Sequence, residues 1–261
     1  MGVAIRANQG DWGGAQLSDI EAVARSVADS FAAFDDDEAI AITLEPTTGE
    51  DDPPMTSSST SPGRSVVRLN VRGNLWARLA YQFGHEYCHV LANPTTLTDQ
   101  QRRFSWIEEV LCETGSLFAL RSMAKGWAVN PPFPSWRDYS SSLAQYEAEH
   151  VSDPMRSLPP GAKFTDWLTD RLPLLEADPY RRDDNTIIAK EFLLVFETDP
   201  AAWRAVRRLH YAQGSSEAPL AGFMTDWAGR CPAEYRRGVG SIAGLIGVGG
   251  DGKENVETFD G

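Results

Sequence analysis

The segment His85-Glu86-Tyr87-Cys88-His89 constrains the fold of this 261-residue chain more than any other feature. A spacing of four residues places both imidazoles on one face of an α-helix, one turn apart, so one metal ion can bind both. Glu86 adjoins His85 and can reach a water molecule on that ion, which is the position of a general base. The segment therefore predicts a helix that carries a metal site.

The residues around this segment also favour a helix. It is expected to begin after Asn74, a good N-cap, and to end near Asn93-Pro94, where proline cannot continue it. Apolar residues recur at steps of three and four along it: Trp76, Leu79, Phe83, Tyr87, Val90 and Leu91. His85 and His89 lie off this stripe, above Arg78 and Gln82. The alternative is a surface helix whose histidines are solvated, or buried with their hydrogen bonds satisfied.

A second helix, predicted from about Ser105 to Lys125, offers a third ligand. Nineteen residues lie between His89 and Glu109, and Glu113 follows Glu109 by one helical turn. This arrangement resembles the gluzincin pattern of thermolysin-type zinc peptidases. The resemblance implies that Glu109 is the third zinc ligand and that Glu113 orients the first histidine from the second shell. It covers residues 65–125.

Glu108 is the alternative ligand, because its spacing resembles the aminopeptidase branch of the same clan. We favour Glu109 since it shares a helix face with Glu113 and Ser116. Gly115 and Ser116 are small and would let the two helices approach closely. The sequence departs from the family pattern at Glu113, where aspartate is usual. A solvated acidic face is the other interpretation of Glu108-Glu109.

Zinc held by His85, His89 and Glu109 would make Glu86 the general base of peptide-bond hydrolysis, with a peptide or protein as substrate. The oxyanion needs a further donor from the protein. His210 and Tyr211 are the first candidates for this catalytic role. His150 and the pair Tyr180-Arg181 come after them.

The expected fold is α+β and predominantly helical, with a small zincin-like sheet and an active-site helix followed by an all-α C-terminal half. Residues 1–14 are expected to be loosely packed, with Trp12 as an anchor. Ser18-x-x-Glu21 predicts a capping box that starts a helix to about Phe34. Alternation predicts strands over Ala39–Glu45 and Ser65–Arg72, separated by a long mobile loop at 46–64. By resemblance, the segment from Val67 to Val71 is a candidate edge strand for binding an extended peptide, and an ordinary core strand is the alternative.

The predicted organisation is a catalytic half at 1–130, a helical half at 131–248 and a flexible tail at 249–261. A net charge of -13 disfavours nucleic acids and anionic membranes as partners. Three cysteines and the lack of a recognisable signal peptide favour the cytoplasm, with Cys88 and Cys112 as buried thiols. The sequence contains no run of eighteen apolar residues, so it predicts no membrane-spanning segment.

Two other functions remain open from the sequence. One is a regulatory protease of narrow specificity, resembling the cytosolic metalloproteases that govern phage repressors and DNA-damage responses. The other is a degenerate zincin that serves as a zinc-stabilised interaction module. Such a module would bind zinc with four protein ligands, with Cys88 or Cys112 among them.

Overall fold

The computed structural model describes residues 3–31, 40–49, 51–58, 64–92, 99–213 and 219–248. As predicted, the fold is α+β and predominantly helical. The strands are β1 (Ala4–Ala7), β2 (Ala41–Pro46), β3 (Met55–Ser58) and β4 (Arg64–Leu69). The helices are α1 (Leu17–Ser30), α2 (Trp76–Ala92), α3 (Asp99–Arg103), α4 (Ser105–Val129), α5 (Ser140–Ser152), α6 (Phe164–Ala177), α7 (Arg182–Thr198), α8 (Trp203–Val206), α9 (Pro219–Arg230) and α10 (Arg236–Leu245).

The four strands form one mixed sheet in the order β1-β2-β4-β3. β1, β2 and β4 run parallel, and β3 runs antiparallel to β4, with Thr56 opposite Val67. Because β4 lies between β2 and β3, the prediction of an edge strand at Val67–Val71 is wrong. Within the described residues the edge on this side of the sheet is β3.

Two predictions for the N-terminal region are also wrong. Residues 4–7 form a strand, with Ile5 and Ala7 buried, so the segment 1–14 is not loosely packed. A four-residue strand is too short to show alternation, and its partner β2 is distant in sequence. The capping box does not form either, because Glu21 Oε1 accepts a hydrogen bond from Ala7 N at 3.0 Å. Trp12 is buried, as the anchor role requires.

The predicted loop at 46–64 contains a strand, so that prediction is wrong at β3. Alternation is absent from the sequence Met55-Thr56-Ser57-Ser58, and β3 depends on pairing with β4. Residues 50 and 59–63 lie outside the described part of the chain, as do the predicted end of α1 at Phe34, the end of α2 at Asn93-Pro94 and the tail at 249–261.

Helices α2 and α4 pack closely, as their small residues predict. A Cβ atom on Gly84 would lie 3.1 Å from Ser116 Cα and 3.2 Å from Gly115 O. Ser116 Oγ donates a hydrogen bond to Tyr81 O at 2.8 Å, which ties the two backbones together. This contact fixes how the histidines on α2 face the carboxylates on α4.

The described residues after 131 form only helices and short 3-10 turns, in agreement with the predicted all-α half. α7 and α5 both pack against α4. The buried residues form one continuous core from Ile5 to Ile246. The division into halves at 130 therefore stays a prediction. Among the described residues no helix is both long and apolar enough to span a bilayer.

Candidate metal centre

α2 and α4 bring the two motif histidines and Glu109 together. His85 Nε2 lies 3.4 Å from Glu109 Oε2, and His89 Nε2 lies 3.6 Å from Glu109 Oε1. The two imidazole centroids are 5.1 Å apart. All three side chains are partly exposed and line one cavity. The helix spacing predicted from sequence thus produces convergence of two nitrogens and one carboxylate.

Glu108 lies beneath this group and holds His89 from the other side. His89 Nδ1 is 2.7 Å from Glu108 Oε1, and His210 Nε2 is 3.0 Å from Glu108 Oε2. Glu108 is buried and is not among the residues that line the cavity. Since neighbouring residues on a helix point about 100° apart, Glu108 and Glu109 contact different nitrogens of the same imidazole.

The charges of this group shift two pKa values in opposite directions. Burial opposes the charged form of His89, but the hydrogen bond to Glu108 and the nearby carboxylates outweigh it and raise its pKa to about 10. Burial likewise opposes ionised Glu108, but contacts with His210 and His89 lower its pKa to about 2. Without a cation, the group is therefore an ion-pair network centred on Glu108.

The donor set fits a zinc ion. If His89 donates its Nδ1 proton to Glu108, its Nε2 presents a lone pair beside the carboxylate of Glu109. A nitrogen lone pair and a carboxylate oxygen that face one another both carry negative partial charge, so the space between them attracts a cation. Two imidazoles and one carboxylate are the ligands of many catalytic zinc sites. In such sites a further carboxylate commonly accepts a hydrogen bond from the ring nitrogen of a histidine ligand that does not bind the metal.

Cys112 offers a rival third ligand, because its Sγ lies within 4.8 Å of a nitrogen of both His85 and His89. Two observations favour Glu109. Cys112 is fully buried and does not line the cavity, whereas Glu109 does. Burial, with the neighbouring Cys88, also raises the pKa of the Cys112 thiol. Both cysteines are buried and free, as predicted.

The cavity in front of the histidines has a volume of about 900 Å³. Glu86 lines it beside His85, and its side chain is mostly buried. Thr56 Oγ1 on β3 donates a hydrogen bond to Glu86 O at 3.1 Å. This bond fixes the sheet edge next to the motif helix, so Met55 and Thr56 form part of the cavity wall.

Glu113 also lines the cavity, but its partners differ from the predicted one. Tyr81 Oη lies 2.7 Å from both of its carboxylate oxygens, and Thr186 Oγ1 donates to Oε1 at 2.9 Å. The structure therefore places Glu113 in a hydrogen-bonded link between α2 and α7, not in a contact that orients His85. The carboxylate that does contact a motif histidine from behind is Glu108, five residues earlier on α4.

The structure places His210 and Tyr211 outside the lining of the cavity. His210 lies behind Glu108, and Tyr211 is 55% exposed beside the guanidinium of Arg208. Their position depends on the 3-10 turn Leu209–Tyr211, which packs near α3 through a hydrogen bond from Gln101 to His210 O. Sequence spacing gives no signal for this long-range contact.

Two of the candidates ranked after them, His150 and Tyr180, do line the cavity. His150 stacks on Tyr81 with ring centroids 4.2 Å apart, and Tyr146 packs against both. We call Tyr81, Tyr146 and His150 the ring cluster. Tyr81 lies one turn before His85, so helical spacing could have identified it. Tyr146 lies on α5, and sequence spacing gives no signal for its place beside α2.

Comparison with known proteins finds no family model that matches this sequence, and no curated protein or solved structure that matches it.

Proposed function

We propose that this protein is a zinc-dependent metallopeptidase that hydrolyses peptide bonds in a peptide or protein substrate. One observation carries the proposal: the two carboxylate oxygens of Glu109 lie 3.4 Å from Nε2 of His85 and 3.6 Å from Nε2 of His89, on the wall of a cavity that Glu86 also lines. A catalytic zinc site needs three protein ligands and one open position, and this group faces open space on the cavity side.

In this proposal His85, His89 and Glu109 hold the metal. The chemistry that zinc supplies when bound is an activated water and polarisation of the scissile carbonyl. Glu86 takes the proton from the attacking water and passes it to the leaving amine. Glu108 fixes the tautomer of His89 through the 2.7 Å contact with Nδ1, and His210 Nε2 lies 3.0 Å from the other oxygen of Glu108.

The oxyanion donor is assigned to His150, with Tyr180 as a second donor. Both line the same cavity as Glu86. Burial lowers the pKa of His150, so its imidazole is neutral at pH 7 and can donate one N–H. Burial first, and then the charges of Glu109 and Glu108, raise the pKa of Tyr180, so its hydroxyl stays protonated and can donate a hydrogen bond.

The edge of β3 supports a peptide as the substrate. β3 pairs with β4 on one side, and Met55 and Thr56 line the cavity. An edge strand has unpaired backbone N–H and C=O groups that can pair with an extended chain. A peptide added to this edge would run beside the motif helix.

A cytoplasmic location is part of the proposal. Cys88, Cys112 and Cys231 are all free thiols in the structure, which suits a reducing compartment.

The competing function is a zinc-stabilised interaction module without catalysis. The closeness of Cys112 to His85 and His89 favours it, since a structural site uses four protein ligands and thiolate is a common one. The position of Glu86 on the cavity wall favours the peptidase, because a structural site needs no general base.

Zinc analysis combined with hydrolysis assays tests the proposal. We expect the wild-type protein to contain about one zinc per chain and to cleave casein. Glu86→Gln should keep the zinc and lose hydrolysis, His85→Ala should lose both, and the exposed control Glu234→Gln should lose neither. Zinc without casein cleavage would favour the narrow regulatory protease or the interaction module. Absence of zinc from the wild type would overturn the proposal.

A further inference from the structure

Two arginines line the cavity away from the motif histidines. Arg78 and Arg182 are exposed, and within the described part of the chain neither lies within ion-pair distance of a carboxylate. Arg78 lies three residues before Tyr81 on α2, which is close to one helical turn. Arg182 lies one turn before Thr186 on α7, and Thr186 shares the carboxylate of Glu113 with Tyr81. Both arginines therefore lie near the ring cluster. In a chain with a net charge of -13, unpaired cations on a cavity wall point to an anionic ligand.

Asn185 gives a second, independent indication of a ligand. It lines the cavity and is 4% exposed. Its Nδ2 donates to Pro179 O at 2.8 Å, so the other amide atom must be the acceptor Oδ1. That Oδ1 is buried and has no hydrogen-bond partner among the described residues. A buried acceptor without a partner is costly, and a ligand N–H would satisfy it.

The helix geometry gives the separation along α2 between the backbone of Arg78 and that of His85. Arg78 precedes His85 by seven residues on the same face of α2, which corresponds to about 10.5 Å along the helix axis. An extended peptide covers that distance with about three residues. Glu109 and Glu86 would together offset the charge of a bound dication, so the histidine end would keep no net positive charge to compete with Arg78 for an anion.

On the basis of the proposed peptidase function, we infer that the cavity selects peptides with a carboxylate about three residues from the cleaved bond. Arg78 and Arg182 bind the carboxylate, and Asn185 Oδ1 accepts a backbone N–H next to it. The carboxylate comes either from the C-terminus of the substrate or from an acidic side chain.

Binding of synthetic peptides to the zinc-loaded Glu86→Gln protein tests this inference without requiring turnover. One arm compares alanine-based peptides with a free or an amidated C-terminus. The other compares amidated peptides with one Asp or one Asn at successive positions. We expect the anionic peptides of one arm to bind on the order of 10- to 100-fold more tightly than their neutral partners. The arm that shows the difference identifies the source of the carboxylate.

Arginine variants connect the preference to the two side chains. Adding Arg78→Ala or Arg182→Ala should remove most of the preference and leave binding of neutral peptides unchanged. Arg78→Lys should restore part of it, because a lysine keeps the charge without the planar fork. The exposed Arg237→Ala on α10 is the matched control and should change nothing.

The outcomes separate this inference from the peptidase proposal. Equal binding of neutral and anionic peptides, no binding of any peptide, or a preference that survives both alanine variants would overturn the inference. If the wild type hydrolyses neutral and anionic peptides equally well, the peptidase proposal stands and the inference fails. A charge preference in binding that depends on Arg78 and Arg182, without hydrolysis by the wild type, would support the anion site but contradict the peptidase proposal and the stated distance to a cleaved bond.

Discussion

The two ends of the cavity are built in different ways. The metal end consists of His85, Glu86, His89 and Glu109, which come from two helices close in sequence and have charged partners at short distance. The arginine end consists of Arg78, Arg182 and Asn185, where two cations and one acceptor have no such partners within the described residues. The metal end is thus organised without a substrate, whereas the arginine end has unused binding capacity. In the proposed function, the metal end carries out the chemistry and the arginine end selects the substrate.

The largest expected effect concerns the third ligand at the metal end. Glu109→Gln removes a charged ligand, so zinc affinity should fall by more than the roughly 10- to 100-fold that loss of an outer-shell partner costs. Cys112→Ser should leave zinc affinity unchanged, because the thiol does not line the cavity. Competition with a fluorescent zinc chelator measures both. Strong loss in Cys112→Ser with little change in Glu109→Gln would instead support the structural zinc module.

A variant in the ring cluster should affect turnover but not metal binding. If His150 donates to the oxyanion, His150→Gln should lower kcat by about 100-fold. Zinc affinity should stay at the wild-type value, because His150 contacts Tyr81 and Arg156 rather than the metal ligands. Steady-state kinetics beside the chelator assay checks this. An unchanged kcat would remove His150 from the oxyanion role and leave Tyr180 as the candidate.

The metal end also depends on the close contact between α2 and α4. Gly84→Ala introduces a Cβ that would approach the α4 backbone at 3.1–3.2 Å, so it should lower the free energy of unfolding by about 1–3 kcal/mol. Gly126→Ala on the same pair of helices has open space around it and should raise that free energy by up to about 1 kcal/mol. Urea denaturation of both variants measures the difference. Equal effects of the two substitutions on the free energy of unfolding would mean that α2 and α4 can move apart at little energetic cost.

The smallest expected effect is the pH dependence of the metal-free protein. The pKa of His89 is raised to about 10, so its pairing with Glu108 stabilises the fold fully below the ordinary histidine pKa of 6.5 and is lost as pH rises through 10. The pKa of Glu108 is lowered to about 2, so its contribution is present above 4.5 and is lost as pH falls through 2. Between pH 6.5 and 10 the wild type should therefore become steadily less stable, because the proton that charges His89 is held more tightly in the folded than in the unfolded state over this interval.

Thermal unfolding in the presence of a chelator measures this loss, with Glu108→Gln as the comparison. The variant has no carboxylate to pair with His89, so its unfolding temperature should change less over the same pH interval. A wild type and a variant with parallel pH profiles would show that the pair does not stabilise the metal-free fold.

The metal end could be predicted from sequence because its information is local. His85 and His89 are related by helical spacing, and Gly115 and Ser116 indicate where a second helix can approach. Glu108 and Glu109 are neighbours on α4 and point about 100° apart around the helix axis. Sequence spacing constrains this rotation only weakly, so it does not decide which of the two side chains faces the cavity. The strand β3 and the short strand β1 were not predicted, because each depends on a partner distant in the chain.

The other side of the cavity depends on tertiary packing. His150 lies on α5 and Asn185 on α7, and both reach the site because these helices pack on α4. The position of His210 also depends on tertiary packing, but this packing brings it to Glu108 and not to the cavity wall. Helical periodicity places these residues on a helix face but does not indicate which neighbour the face meets.

Anomalous diffraction at the zinc edge from crystals of the zinc-loaded protein tests the central claim most directly. We predict one peak about 2.0–2.2 Å from Nε2 of His85, Nε2 of His89 and an oxygen of Glu109, with one position open to the cavity. A peak about 2.3 Å from the sulfur of Cys112, with four protein ligands and no open position, would contradict the account.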